Sequence, residues 1–217
     1  EENAYLLEQA RHDAATKARL LQEVNHRVKN NLDAIIGLLY VERRYVSPEI
    51  LPAFQHLMDD LINRIMGLAK VHNLLSASEW TPLLLSDLVA HLVRTALEAS
   101  PEKVEVAVDI SPSPVRVTPD QAHHLALVIV ELAANTLKYA CTGSEVVHVA
   151  VAIAREDDMV ILTYRDDGPG YAEETLRLEQ RQAGLDIVHK IVSKNLRGSL
   201  TLRNDGGAVA KIRFKDA

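Results

Sequence analysis

Apolar and polar residues follow a helical spacing through the first third of the chain, to about Ser76. At about 100° per residue, Leu21, Val24, Val28, Leu32 and Ile35 share one side of a first helix. Alternate steps of four and three carry this seam back through Lys17, Ala14, Ala10 and Leu7, a heptad pattern flawed at Lys17 along which two copies would pair. On a second helix, Leu57, Leu61, Ile65 and Leu68 make another apolar row that needs burial. Two prolines between Tyr45 and Pro52 predict the turn of a helical hairpin. From Trp80 the texture changes. Helix is expected over 86–99, strand over 103–110 and 114–118, and a long apolar helix over about 119–140. Strands at 146–154 and 159–166, a helix over 184–196, and strands at 198–205 and 208–214 joined by Gly206-Gly207 complete the pattern. The fold class is α+β: an N-terminal helical hairpin that forms a dimeric four-helix bundle, then an α/β sandwich.

Composition narrows the partners. The chain of 217 residues is 47% apolar, enough for a substantial core. Its net charge of −6 comes from acids and bases mixed along the sequence, so no basic stripe matches a nucleic-acid backbone. Cys141 is the single cysteine, which excludes an internal disulfide and a cysteine-built zinc site and suits a reducing, cytoplasmic compartment. No membrane segment is expected, because the longest apolar stretch is interrupted at Glu131, short of the roughly 18 residues a spanning helix needs. The nine histidines are scattered without HExxH spacing, which argues against metal-dependent hydrolysis. The start at Glu1, without methionine and directly in helical sequence, points to an upstream domain.

Chemistry concentrates in four places. His26, in NHRVKNNL, falls about 170° from the centre of the apolar stripe, so on a helix it faces away from the core. Asn30 follows one turn later, where its amide can share a substrate with the imidazole. In ELAANTLKYA, Glu131, Asn135 and Lys138 form a polar stripe on an otherwise apolar helix. A carboxylate, an amide oxygen and an ammonium suit a magnesium-bound polyphosphate, and an internal pair between Glu131 and Lys138 is the plainer alternative. The strand ending in RDDGPG sets Asp166 before Gly168 and Gly170; the carboxylate can accept a hydrogen bond from an exocyclic amine, and glycines let a ligand approach backbone. Gly184, in AGLDIV, opens a helix whose first amides suit phosphate.

These boxes, in this order, resemble those of the sensor histidine kinases. ELAANTLKYA looks like the N-box, RDDGPG and AGLDIV like the two glycine boxes, of the ATPase superfamily shared with gyrase, heat-shock chaperones and mismatch-repair proteins. NHRVKNNL resembles the phosphoacceptor box of the subfamily in which arginine follows the histidine. The resemblance implies His26 as phosphoacceptor, Asn30 as its helper, and Asn135 as magnesium ligand, with Glu131 reaching the metal through water or acting on phosphate. It also implies Lys138 facing the phosphates, Asp166 reading adenine, Gly168 and Gly170 shaping the pocket, and Gly184 seating helix amides on the phosphates. Three regions follow from it: 1–20 as a signalling coiled-coil helix, 21–78 as the dimerisation and histidine phosphotransfer hairpin, and 79–217 as the catalytic ATP-binding sandwich. ATP and Mg2+ are the expected cofactors, and a response regulator's receiver domain, a second copy of the chain and an upstream sensory domain the expected partners. Arg27 occupies the place where many histidine kinases carry an acid, leaving Glu23, about one turn earlier, as the candidate base. A phosphotransfer or scaffold protein with an inactive nucleotide domain is the other reading. Gln182, where a glycine is usual, and Val209-Ala210, where Gly-Thr is usual, favour it.

Overall fold

The computed structural model describes residues 2–42, 51–98, 105–141, 146–176 and 183–216. Two long helices, α1 (Glu2–Glu42) and α2 (Leu51–Ala77), pack against each other. Residues 43–50, which hold most of the expected turn, lie outside the described part, as do the side chains of Leu7, Ala10, Ala14, Lys17 and Leu21 from the heptad seam. Then follow β1 (Leu83–Leu84), α3 (Leu85–Glu98), β2 (Glu105–Ile110), β3 (Arg116–Val117) and α4 (Pro119–Asn135). The second half comprises β4 (Val146–Glu156), β5 (Met159–Asp166), α5 (Glu173–Leu176), α6 (Ala183–Lys190), β6 (Ser199–Asn204) and β7 (Ala208–Lys215).

Five strands form one mixed sheet in the order β2-β4-β5-β7-β6, parallel between β2 and β4 and antiparallel elsewhere, while β1 and β3 pair separately. Alternation along β4 explains its burial: Val147, Val149, Val151 and Ile153 point into the core while His148, Ala150 and Ala152 face out. Leu125, Ile129 and Leu132 of α4 meet Leu162, Ile212 and Phe214 of the sheet in that core. The start of α4 is fixed by a capping box in which Thr118 Oγ1 accepts from Gln121 N at 3.2 Å and Gln121 Oε1 accepts from Thr118 N at 3.1 Å. The last two turns of α2 belong to this core as well, through Val71 and Leu75. Farther up α2, a Cβ on Gly67 would come within 2.6 Å of Val130 Cγ2, so the missing side chain lets α2 and α4 approach closely.

Candidate active site

His26 stands exposed on α1, as its angle from the apolar stripe predicts. Its Nδ1 lies 3.3 Å from Asn30 Nδ2, one turn on. Glu23 is engaged: Arg27 Nη2 donates to its Oε1 at 2.6 Å, and both side chains face solvent. The same helix leaves Val24, Val28, Ile35 and Leu38 uncovered on its other side, with Val24 55% and Leu38 64% exposed.

The second cluster is built on α4. This helix passes at Asn135 into a wider π turn, Thr136–Ala140, closed by Cys141 N donating to Thr136 O at 3.2 Å. The widening falls inside the predicted nucleotide box. Thr136, buried at the joint, donates to Asp166 Oδ2 at 2.9 Å and lies 3.0 Å from the Tyr164 hydroxyl. Asp166 Oδ1 accepts from Gly168 N at 3.1 Å and from Ala208 N at 3.3 Å, so the carboxylate is held on three sides at the end of β5. Burial pushes the Tyr164 phenol far above its ordinary range, with the nearby Asp166 charge adding to the effect, so it stays protonated and donates to Thr136. Burial first, then Asp166, does the same for Tyr171.

Asn135, Asp166 and Gly170 line one cleft together with Tyr139, Tyr164 and Tyr171. Gly168 lies against its wall, where a Cβ would collide with the Ala140 backbone, 2.7 Å from its Cα. Gly170 has φ +84, and a Cβ there would come within 2.7 Å of Asn204 Oδ1. Asn204 in turn pins the chain after the glycines, accepting from Tyr171 N at 2.8 Å and donating to Tyr171 O at 2.9 Å. The Nδ2 of Asn135 is buried without a hydrogen-bond partner, which suits a polar ligand reaching into this cleft. Lys138 sits on the exposed side of the π turn, its ammonium 5.4 Å from the centre of the Tyr139 ring.

Residues 23–100 match the family described as histidine kinase, and residues 120–217 match the histidine kinase-, DNA gyrase B- and HSP90-like ATPases. The chain belongs to the histidine kinases. It is 27% identical over 201 residues to the sensor histidine kinase PdtaS of Mycolicibacterium smegmatis, covering 91% of this chain and 40% of PdtaS. It is 30% identical over 213 residues to a blue-light-activated histidine kinase of Rhizobium johnstonii, covering 94% of this chain and 55% of the relative. The histidine kinase domain of a blue-light activated kinase from Erythrobacter litoralis shares the fold, with a TM-score of 0.58 at 18% identity over 87% of this chain and 94% of that one. The chain therefore spans about two-fifths to just over half of these curated relatives.

In this kinase chain, His26 and Asn30 form a pair of their own on α1, inside the first matched region. Glu131, Asn135, Lys138, Asp166, Gly168, Gly170 and Gly184 fall in the second. Glu131 does not face the cleft with Asn135. Its carboxylate is taken bidentately by Arg64 of α2, through Nε to Oε1 and through Nη2 to Oε2, the latter at 3.1 Å. A Cβ on Gly184 would collide with the same Oε2, so the carboxylate rests on the backbone at the start of α6. Gln182 lies outside the described residues. Thr136, Tyr164, Arg64 and Asn204 were not singled out by sequence. Only Thr136, inside the nucleotide box and adjacent to Asn135, carried a local signal. A separate cavity between α5, α6 and β6, lined by Thr175, Leu185, His189 and Leu202, holds none of the predicted site residues. No helix among the described residues is long and apolar enough to cross a membrane.

Proposed function

We propose that this chain is the transmitter region of a two-component sensor kinase, which moves the γ-phosphoryl group of ATP to His26 and then to an aspartate on a response regulator's receiver domain. The observation that carries the reading is the exposed His26 with Asn30 against its Nδ1. The oxygen and nitrogen of an asparagine amide can exchange places by a flip. With the Asn30 oxygen accepting from Nδ1–H, the lone pair of Nε2 is left free and in solvent. That nitrogen attacks the γ-phosphorus, the bond to the bridging oxygen breaks, and ADP departs. An in-line transfer needs the two atoms about 3 to 3.5 Å apart, a distance an exposed ring can reach when the nucleotide domain swings to it. Arg27 occupies Glu23, so the pair supports no base next to the histidine, and the Nδ1 proton leaves to solvent once Nε2 carries the phosphoryl group.

On the nucleotide side, Asp166, held by Thr136 and two backbone amides, has acceptor capacity left for the exocyclic amine of adenine. Asn135 would offer its amide oxygen to magnesium, which neutralises charge on the transferring phosphate when bound. Among the described residues no group of three His, Cys, Asp or Glu side chains gathers as a metal site. The ion would therefore share its ligands between Asn135 and the phosphates. Lys138 and the first amides of α6 at Gly184 supply positive charge to those phosphates.

Two copies would pair through α1 and α2 into a four-helix bundle, covering Val24, Ile35, Leu38 and Leu57. The regions 1–20, 21–78 and 79–217 then serve as input helix, phosphotransfer hairpin and catalytic domain, with the input domain upstream and the chain in the cytoplasm. Incubation with γ-labelled ATP and magnesium should leave acid-labile, base-stable phosphate on the chain, and a receiver domain added afterwards should remove it. Tight nucleotide binding without any such phosphate would contradict the reading and favour a scaffold.

A further inference from the structure

We propose that Arg64 is a positioning residue that sets the hairpin and the nucleotide site in competition for Glu131. The inference rests on the reading of α4 as the nucleotide helix. Arg64 comes from α2, which packs on α1 and so on the helix that carries His26; Glu131 comes from the last turns of α4, one turn before Asn135. Both are largely buried, with side-chain exposures of 18% and 7%. Removing the arginine would leave a buried carboxylate without its counter-charge. The fork of the guanidinium meets both carboxylate oxygens, the pairing with the least tolerance for a shift. Gly67, one turn after Arg64, lies against Val130, next to Glu131, so the close approach of the two helices is made at the ion pair. On the other side Glu131 Oε2 lies on Gly184. One carboxylate is thus clamped between the hairpin and the start of α6.

Phosphate oxygens brought to Gly184 would meet Glu131 Oε2 and repel it, while a magnesium ion held at Asn135, one turn on, would draw the carboxylate away from Arg64. Glu131 cannot turn to the metal or its waters while both oxygens are bound to Arg64. Loading the site therefore weakens the pair, and by reciprocity the pair weakens loading. The consequence lies in motion: breaking the pair frees α2 from α4 above Gly67, which releases the nucleotide domain to reach His26. The nucleotide-free form is held closed by the same contact.

The test is a double-mutant cycle on the full chain, Arg64→Gln and Glu131→Gln singly and together, read by equilibrium binding of a non-hydrolysable ATP analogue with magnesium. Arg64→Gln should tighten binding about tenfold, within the usual range for coupled sites, and the gain should vanish when Glu131→Gln is present. Amide exchange in α2 of the parent should quicken on adding the analogue, and in Arg64→Gln should be fast without it. Should Arg64→Gln not fold, Arg64→Lys, which keeps the charge but loses the fork, should show the same tightening to a smaller degree. Weaker binding in Arg64→Gln, with or without Glu131→Gln, would mean that Arg64 touches the phosphates and would overturn the proposal. Unchanged binding would overturn it too, leaving the kinase reading intact. A parent that binds no nucleotide overturns that reading and the coupling with it.

Discussion

At the scale of single residues, the roles proposed for Asp166 and Asn135, which line one cleft, are ones that substitution separates. Both oxygens of Asp166 are engaged in the fold before any ligand arrives. Asp166→Asn puts an NH2 where a carboxylate oxygen accepted, leaving a buried donor facing a donor. The expected cost is about 1–3 kcal/mol in denaturant unfolding, together with loss of preference for adenine over guanine nucleotides. Asn135 is less tied to the fold, since its buried Nδ2 makes no hydrogen bond. Asn135→Ala should change stability by less than about 1 kcal/mol while weakening nucleotide binding at least tenfold when magnesium is present. Calorimetric titration with and without the metal reads that directly, and unchanged affinity would remove Asn135 from the site. That Asp166 and Asn135 are polar positions of interest was legible in the sequence, because aspartate before a glycine pair and asparagine on an apolar helix are local signals; the structure sets both on one cleft. Arg64 was not: its partner is 67 positions away, and an arginine on an amphipathic helix looks like any solvated charge.

At the scale of elements, the period of apolar residues located the long helices and the five strands of the main sheet, since each buries one face. The strand pair Leu83–Leu84 with Arg116–Val117 was half missed, being too short for alternation to register. The π turns after α4 and α6 were also hidden, because one extra residue in a turn leaves the apolar pattern almost unchanged. The junction between α2 and the sheet domain carries a feature with a pH dependence. Glu79 and Trp80 have positive φ, and Trp80 sits between His72, edge-on at 5.5 Å, and His123, stacked at 6.1 Å. Burial, and then the charge of His123, lowers the pKa of His72 below its ordinary 6.5. The unfolded chain takes up that proton near pH 6.5 while the folded chain resists it. The contribution is thus fully present above about pH 6.5 and is lost as pH falls below it. The melting temperature should drop between pH 7.5 and 5.5 in the parent and drop less in His72→Phe. The fluorescence of Trp80, the only tryptophan, reports the same junction.

At the scale of the whole molecule, the single chain leaves an unfinished surface. Val24, Val28, Ile35 and Leu38 lie within about 80° on α1 and are all exposed, and Leu57 of α2 is 52% exposed. A contiguous apolar stripe of this kind marks an interaction surface. Light scattering at micromolar concentration should find two chains per particle, and Leu38→Asp with Leu57→Asp should shift the population to one. A parent that is strictly monomeric would contradict the bundle. The order of layers, hairpin first and sheet domain second, was open to the sequence because the two halves differ in period and in glycine content. How the halves touch was not, since Gly67 against Val130 and Arg64 against Glu131 are contacts between distant segments that neither pattern contains.

The central claim is that His26 itself receives the phosphoryl group, and site-specific labelling tests it most directly. Parent, His26→Gln and His12→Gln are incubated with γ-labelled ATP and magnesium, and acid-labile phosphate is counted beside nucleotide affinity. His12 is another exposed histidine on the same helix and serves as the control. The account predicts that His26→Gln binds nucleotide as the parent does and takes up less than about a hundredth of its phosphate, since the nucleophile itself is gone. His12→Gln should label as the parent does. If His26→Gln labels like the parent, His26 is not the acceptor and the kinase reading of this helix fails.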